Sequence, residues 1–355
     1  MSLAAVARVL EQAGPTLIVG HADPDPDSIG SILAARWALR QLRPGVPVEG
    51  ASPDPVPPTC QFLPGAGELL SPEEALARGP WHTLWVVDCE PARIGPLKPL
   101  VEAAEQLVNL DHHATNAQGT GHPAETRLVD PEAAATGLLV YRLIRHWGLK
   151  LDADAATCLL AAISGDTGSF RYSNTTPEAL EAARDALLAG ARPQEVAHNL
   201  YERRSFEEMQ LLGEALAMLT RSQDGSIAWI ALPYDLVARH APDAFDGLVN
   251  YPRMIEGVEV AILFREIEPG TVRVSLRSQE WVDVSQIAAG FGGGGHPRAA
   301  GCTIPYPLNQ AVSLVVAAVQ QILDGRRDDA GGLTEAAPEA GTPAGSRAAE
   351  GAGSR

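Results

Sequence analysis

Residues 16–31 read Thr-Leu-Ile-Val-Gly-His-Ala-Asp-Pro-Asp-Pro-Asp-Ser-Ile-Gly-Ser. The β-branched, apolar start predicts a short strand, and the apolar spacing from Ile29 to Leu42 predicts an amphipathic helix. One imidazole and three carboxylates are crowded into the turn between them, at His21, Asp23, Asp25 and Asp27. Because like charges at this density repel, the turn favours a bound cation, and a divalent metal ion is the simplest candidate.

A helix cap and a calcium loop compete with such a metal site at the acidic turn. An N-cap at Asp27 or Ser28 would account for one carboxylate but not for the remaining groups. An EF-hand loop beginning at Asp23 would need a bidentate acid at its twelfth position, where this chain has Ala34. The turn alone therefore leaves helix capping and metal binding both open.

Two further strands end in groups that can bind a metal. Leu84 to Asp88 and Leu107 to Asp111 are apolar runs that finish in a carboxylate, and His112 and His113 follow the second run. Strands that alternate with helices predict a parallel sheet. In such sheets ligands bind beyond the carboxyl ends of the strands, which is where His21, Asp88 and His112 are expected.

The pattern along the chain predicts an α/β fold with two domains. The second half has more strands, and from Gly325 onward large apolar residues are almost absent, which predicts disorder. The expected divisions are an N-terminal parallel-sheet domain with flanking helices, a helical linker, a smaller α/β C-terminal domain and a disordered tail, at 1–190, 191–222, 223–324 and 325–355. Further expectations are a loop at Ala51–Pro72 and helices at Pro131–Trp147, Phe206–Arg221 and Leu308–Leu323.

Composition restricts the class of protein. The 355 residues allow two domains, and the net charge of −17 argues against electrostatic binding of long nucleic acids. The 4 cysteines form no C-x-x-C pair, which favours reduced thiols and a cytoplasmic protein. No apolar stretch approaches the length of a membrane span, so no membrane association is expected.

Two more motifs are ambiguous by themselves. Asp166 lies between small residues in Ile-Ser-Gly-Asp-Thr-Gly, where a helix end is the simpler interpretation. The run from Gly290 to Gly295 resembles dinucleotide and Walker loops, but a helix precedes it and His296-Pro297 follows it, so both fail. A flexible main-chain cradle that ends in a histidine, suited to a phosphate or a base, is what remains.

Together these motifs resemble the DHH phosphoesterases with a DHH-associated C-terminal domain. The matching positions occur in the family's order over about residues 10–324: His21-x-x-Pro-Asp25-x-Asp27-x-x-Gly30-Ser31, Asp88, Asp111-His112-His113, Gly165-Asp166-Thr167-Gly168 and Gly292-Gly-Gly-Gly-His296-x-x-Ala-Ala-Gly301. The size of the chain is most similar to the NrnA-like branch, the nanoRNases and 3′-phosphoadenosine-5′-phosphate (pAp) phosphatases.

The resemblance implies a role for each matching residue. Six residues would bind two divalent ions with Asp88 shared between them: His21, Asp25, Asp27, Asp88, His112 and Asp166. His113 would face the scissile phosphate and Asp111 would support it. Substrate contacts would come from Arg171, Arg277, Ser278, Gly293, Gly294, Gly295 and His296. Pro26 departs from the family pattern, which usually has a small residue there, and raises the question of the local backbone path.

The implied activity is two-metal hydrolysis of short RNA or DNA oligonucleotides or small nucleotides, with pAp dephosphorylation as a second reaction. Mn²⁺ suits imidazole and carboxylate ligands, with Mg²⁺ and Co²⁺ as alternatives. Competing interpretations are hydrolysis of cyclic di-AMP or pApA, a RecJ-like single-strand DNA exonuclease, and an inactive metal-dependent nucleotide-binding protein. A homodimer is compatible with the fold, although no particular residue argues for one.

Overall fold

The computed structural model describes residues 1–116, 118–245 and 247–331, without the side chains of residues 243, 296 and 326–331. The chain divides into two units, Met1–Arg203 and Arg204–Arg355. The division falls inside the predicted linker at 191–222. Each unit builds its own sheet and its own apolar core.

The first unit is built on a parallel sheet. In the described residues it has five strands in the order β2-β1-β3-β4-β5. They are β1 (Thr16–Val19), β2 (Val48–Ala51), β3 (Thr83–Val87), β4 (Gln106–Asp111) and β5 (Glu125–Val129). The parallel sheet predicted from the sequence is confirmed, and β1, β3 and β4 are neighbours, so their carboxyl ends lie side by side.

Helices cover both faces of this sheet. They are α1 (Leu3–Glu11), α2 (Pro26–Leu42), α3 (Pro72–Arg78), α4 (Pro99–Ala103), α5 (Thr136–His146), α6 (Ala153–Asp166), α7 (Pro177–Leu188) and α8 (Pro193–Ala197). Alternate residues of β1 enter two cores: Ile18 packs with α2 and α5, and Leu17 packs on the opposite face. Burial on both faces explains why the strands are continuous apolar runs.

Several boundaries differ from the sequence prediction. Helix α5 begins at Thr136 rather than at Pro131, because residues 131–135 form a non-helical connection after β5. Strand β5 and helix α3 were not predicted. Glu125–Val129 is a half-buried edge strand with polar residues, so it lacks the apolar run by which the other strands were recognised.

The second unit carries a mixed sheet. Its described strands have the order β10-β11-β9-β8-β7-β6, and only β7 and β8 run parallel. The strands are β6 (Leu219–Arg221), β7 (Ile227–Leu232), β8 (Val260–Glu268), β9 (Thr271–Ser278), β10 (Gly294–His296) and β11 (Ala299–Ile304). The helices are α9 (Phe206–Ala217), α10 (Tyr234–Val237), α11 (Asn250–Arg253), α12 (Val284–Gly290) and α13 (Leu308–Gly331). The predicted smaller α/β C-terminal domain is confirmed.

Both ends of the second unit depart from expectation. The helix predicted over Phe206–Arg221 ends at Ala217, and its last residues form β6 against β7. Helix α13 continues through Gly331, past the start of the predicted disordered tail, and residues 332–355 lie outside the described part of the chain. In the described residues, no helix has the length and apolarity that crossing a bilayer requires.

Candidate metal centre

The predicted ligands converge at the carboxyl rim of the first sheet. His21 follows β1, Asp88 follows β3, and His112 follows β4, which are adjacent strands. Two helix ends also lie at this rim. The first turn of α2 contributes Asp25 and Asp27, and the last residue of α6 is Asp166.

The acidic turn has a defined geometry. Asp25 is the N-cap of α2 and accepts a hydrogen bond of 2.9 Å from the Ser28 amide, so the cap is neither Asp27 nor Ser28. Pro26 occupies the first helical position, where a fixed φ and a missing N–H fit the helix. The departure from the family pattern therefore leaves the path of the turn intact. Asp23 points elsewhere, since it is exposed and its amide donates to Asp54 Oδ2 at 2.7 Å.

One group of candidate ligands consists of His21, Asp25 and Asp88. The Nε2 atom of His21 lies 3.7 Å from Asp25 Oδ1 and 3.4 Å from Asp88 Oδ2. The other ring nitrogen, Nδ1, is 2.9 Å from the Ala22 carbonyl oxygen. That contact directs Nε2 toward the two carboxylates, as in histidines whose second nitrogen is held by a carbonyl.

A second group consists of Asp27, His112 and Asp166. His112 Nε2 lies 3.0 Å from Asp166 Oδ2 and 3.8 Å from Asp27 Oδ2. Its Nδ1 atom is 3.2 Å from the Ala133 carbonyl oxygen, so Nε2 again faces the acids. The two groups share one arrangement, in which the Nδ1 atom of the histidine contacts a main-chain carbonyl oxygen and its Nε2 atom faces carboxylates.

Asp88, a member of the first group, also faces the second group. Its Oδ2 atom faces His21, and its Oδ1 atom is 3.6 Å from His112 Nε2. The residue is 1% exposed and has φ 64°, a left-handed conformation that non-glycine residues adopt at an energetic cost. The backbone is thus strained at the residue whose two oxygens face both groups.

The electrostatics of the cluster fit bound cations. Burial and the neighbouring Asp88 and Asp166 raise the pKa of Asp27 well above its usual 3.8. Burial also raises the pKa of Asp166 to about 6, although His112 opposes the shift. Among the described residues, the buried Asp88 Oδ2 atom has no hydrogen-bond partner, although His21 Nε2 lies 3.4 Å away. A carboxylate oxygen without a hydrogen-bond donor, beside two carboxylates whose pKa is raised, fits a site for divalent metal ions.

Asp111 and His113 form a separate contact at the same rim. The Oδ1 atom of Asp111 lies 2.8 Å from His113 Nδ1 and also accepts the His113 amide at 3.1 Å. Its Oδ2 atom accepts a hydrogen bond of 2.7 Å from the Asn116 side chain. Hydrogen bonding to Asp111 raises the pKa of His113 above 6.5, despite the opposing effect of burial. The arrangement holds the His113 ring with Nδ1 toward Asp111.

Two residues of this centre were missed by reasoning from the sequence. Asn116 also donates to Asn109 Oδ1 at 2.8 Å, which anchors it to β4. The Thr136 hydroxyl lies 3.0 Å from Asp88 Oδ1. Proximity to the Asp-His-His run was the available signal for Asn116. Thr136 carried none, because the sequence placed it inside a helix that began earlier.

Comparison with known proteins identifies the family. The profile of the DHH family N-terminal domain matches residues 15–163, and that of the DHHA1 domain matches residues 236–325. A Thermus thermophilus protein named bifunctional oligoribonuclease and PAP phosphatase NrnA is 38% identical over 321 residues, covering 90% of this chain and 93% of the relative. The chain belongs to the DHH family. DHH family phosphoesterases are metal-dependent hydrolases, and this DHH protein is one of them.

Two further proteins are similar to this DHH protein. A Bacillus subtilis protein of the same name is 28% identical over 300 residues, covering 82% of this chain and 89% of the relative. The crystal structure of an exopolyphosphatase-related protein from Bacteroides fragilis superposes with a TM-score of 0.82 at 23% identity, covering 90% of this chain and 95% of that one. The structural match supports the fold.

The predicted substrate contacts of this DHH protein lie in both units. Arg171 follows α6 in the first unit and is exposed, with Nε 2.6 Å from the Gly168 carbonyl oxygen. In the second unit, Arg277 and His296 both pair with Ala299 of β11 through their main chains. The His296 side chain lies outside the described atoms.

Ser278 and the glycines differ in accessibility. Ser278 is 1% exposed, and its hydroxyl donates to the Pro297 carbonyl oxygen at 3.3 Å and accepts from Arg298. The hydroxyl thus fastens the end of β9 to the β10–β11 connection. Gly293, Gly294 and Gly295 are exposed, and β10 pairs with β11, so part of the predicted flexible cradle is an ordered hairpin.

Proposed function

We propose that this DHH protein hydrolyses short oligonucleotides as a two-metal phosphodiesterase and exonuclease, and that it also removes a phosphate from pAp. The observation that carries the proposal is the pair of imidazole–carboxylate groups that face opposite oxygens of Asp88. The names of the Thermus and Bacillus relatives, which describe both activities, support the choice of substrate.

Two divalent ions, with Mn²⁺ as the first candidate, would be held by this rim. One would bind His21 and Asp25 and the other Asp27, His112 and Asp166, with Asp88 common to both. The mixture of imidazole nitrogen and carboxylate oxygen suits Mn²⁺, while Mg²⁺ and Co²⁺ accept the same donors. When bound, such ions supply Lewis acidity at the phosphoryl oxygens and lower the pKa of water.

The protein's own residues position and neutralise the substrate. His113 is held by Asp111 so that Nε2, the ring nitrogen away from Asp111, can donate to a phosphoryl oxygen as negative charge develops there. Arg171, Arg277 and the His296 ring would contact phosphate or base. Gly293, Gly294 and Gly295 would let main chain approach the nucleotide, whereas buried Ser278 would fix the hairpin rather than touch substrate.

Each predicted segment of the chain would have a separate role. Residues 1–190 would be catalytic, 191–222 would link, and 223–324 would bind substrate. The reaction is proposed for the cytoplasm, in keeping with cysteines at 60, 89, 158 and 302 that are buried and free. A homodimer remains part of the proposal, and light scattering of the purified protein would test it.

The test uses a labelled dinucleotide and purified protein with and without Mn²⁺. Turnover should require the metal, and Asp88→Ala should lower kcat/KM by more than about 100-fold, beyond the loss typical of residues that only support ligands. Asp23→Asn is the matched control, because Asp23 lies outside both groups and asparagine tolerates its φ of 58°. No turnover by the metal-loaded protein would contradict the proposal, as would near-normal activity of Asp88→Ala.

A parallel rate comparison separates the possible substrates. The panel comprises pApA, a short RNA, a long single-stranded DNA and pAp. The proposal expects the short RNA and pAp to be turned over best. Preference for pApA would favour a phosphodiesterase for cyclic di-AMP and pApA, and preference for long DNA would favour a RecJ-like exonuclease.

A further inference from the structure

The first residue of α5 contacts two carboxylates of the candidate metal centre. Thr136 is fully buried, and its amide donates to Asp27 Oδ2 at 2.6 Å. The next amide, from Gly137, donates to Asp27 Oδ1 at 2.8 Å. The Thr136 hydroxyl donates to Asp88 Oδ1 at 3.0 Å. One residue therefore touches both a carboxylate of the second group and the Asp88 carboxylate, which faces both groups.

The start of α5 explains the amide contacts. Ala135 is the N-cap and offers no side-chain oxygen, yet the first amides of a helix need acceptors. Asp27, which comes from α2, provides both acceptors at the positive end of the α5 dipole. These contacts use main-chain atoms, so almost any residue at 136 would preserve them.

The hydroxyl contact depends on the side chain. A carboxylate can rotate about its last torsion angle at little cost, so a single hydrogen bond can select its orientation. With Oδ1 bound to Thr136, the Asp88 carboxylate directs Oδ2 toward His21 and keeps Oδ1 within 3.6 Å of His112 Nε2. Among the described side-chain contacts of the Asp88 carboxylate, the 3.0 Å hydrogen bond from Thr136 is the shortest, ahead of His21 Nε2 at 3.4 Å and His112 Nε2 at 3.6 Å.

We propose that Thr136 is a positioning residue of the metal centre, whose hydroxyl fixes the Asp88 carboxylate so that one oxygen faces each metal position. The inference rests on the proposed two-metal function. Thr136 touches neither metal nor substrate in this role. Loss of the hydroxyl should weaken metal binding, because the carboxylate would then have to be ordered by the ions themselves.

The test measures Mn²⁺ binding to the full chain by titration calorimetry. Thr136→Val keeps the shape and the main-chain amide but removes the hydroxyl, and Thr136→Ser keeps the hydroxyl. We expect the wild type and Thr136→Ser to bind two ions with similar affinity. Thr136→Val should lose about 10-fold or more in affinity for at least one ion, the range found for residues that orient metal ligands. Thr157→Val, at a half-buried position on α6, is the matched control and should bind like the wild type.

A spectroscopic measurement separates positioning from a general effect on folding. Electron paramagnetic resonance of the protein with two Mn²⁺ reports magnetic coupling through a shared carboxylate, and Thr136→Val should weaken that coupling while Thr136→Ser preserves it. If Thr136→Val fails to fold, the comparison of Thr136→Ala with Thr136→Ser replaces it.

Each result has one meaning. Wild-type affinity and coupling in Thr136→Val would overturn the role of Thr136 while leaving the two-metal function in place, and equal losses in the valine and serine variants would do the same. A wild type that binds no Mn²⁺ would overturn the proposed function together with the inference.

Discussion

At the scale of single residues, two residues that are not predicted ligands shape the candidate centre. Pro26 fits the first position of α2 and leaves Asp25 as the cap, so the acidic turn is formed by ordinary helix chemistry. Asp25 is thus both a helix cap and a candidate ligand, and capping and metal binding are compatible there. Asn116 is the second position, because it supports Asp111 from the side opposite His113.

Replacing Asn116 by Ala should lower kcat by about 10² with little change in KM. The substitution removes both donors, so Asp111 Oδ2 loses its partner and the His113 ring is less firmly held, and small misplacements cost this much in rate. Steady-state kinetics on a dinucleotide would measure it. Asn199→Ala is the matched control, since Asn199 donates only to the Glu195 carbonyl oxygen among the described contacts. An unchanged kcat in Asn116→Ala would contradict this role of Asn116.

At the scale of elements, the sequence was sufficient where apolar periodicity was strong. Strands β1, β3 and β4 are continuous apolar runs, and the groups that follow them were correctly expected at one rim. The true start of α5 was not accessible, because its first amides are capped by Asp27 from another helix rather than by a neighbouring residue. The capping at Asp27 and the hydroxyl contact of Thr136 to Asp88 depend on tertiary packing, which a local pattern does not encode.

The β10–β11 hairpin gives a prediction at the same scale. A Cβ atom at Gly293 would lie 2.2 Å from the Gly301 carbonyl oxygen, which is main chain and cannot move aside cheaply. A Cβ atom at Gly294 would meet nothing within 4 Å in the described part of the chain. Gly293→Ala should therefore lower the free energy of unfolding by about 1–3 kcal/mol, while Gly294→Ala changes it by less than about 0.5 kcal/mol.

Urea unfolding of the full-length protein would measure both variants, followed by a signal from the second unit such as Trp229 or Trp281 fluorescence. The two substitutions have the same chemistry and are adjacent, so each serves as the control for the other. Equal midpoints would show that the close approach of the strands does not limit residue 293.

At the scale of the whole molecule, charge and catalysis are coupled. The chain carries a net charge of −17 and concentrates several of its carboxylates at its candidate centre, yet its proposed substrates are polyanions. At the centre itself, bound cations would add to the positive charge of His113, because a divalent ion dominates the field of its site whatever the net charge. The same reasoning predicts that short substrates bind better than long ones, because the outer phosphates of a long substrate would meet a chain of net negative charge.

This coupling predicts that stabilisation by Mn²⁺ increases with pH. Burial opposes protonation of His21 and His112, but in the metal-free protein the neighbouring carboxylates outweigh it and raise the pKa of His21 from 6.5 to about 11 and that of His112 to about 10. Both groups therefore stabilise the fold fully below pH 6.5, and this contribution is lost as the pH rises toward these values. Mn²⁺ must displace the same protons, so its affinity is low at acidic pH and increases as the pH rises.

Thermal unfolding midpoints with EDTA and with Mn²⁺, compared at about pH 6 and about pH 8.5, should differ more at the higher pH. Asp88→Ala should abolish most of the Mn²⁺-induced shift in midpoint. A Mn²⁺-induced shift that is equal at both pH values would mean that the metal does not replace protons on these histidines.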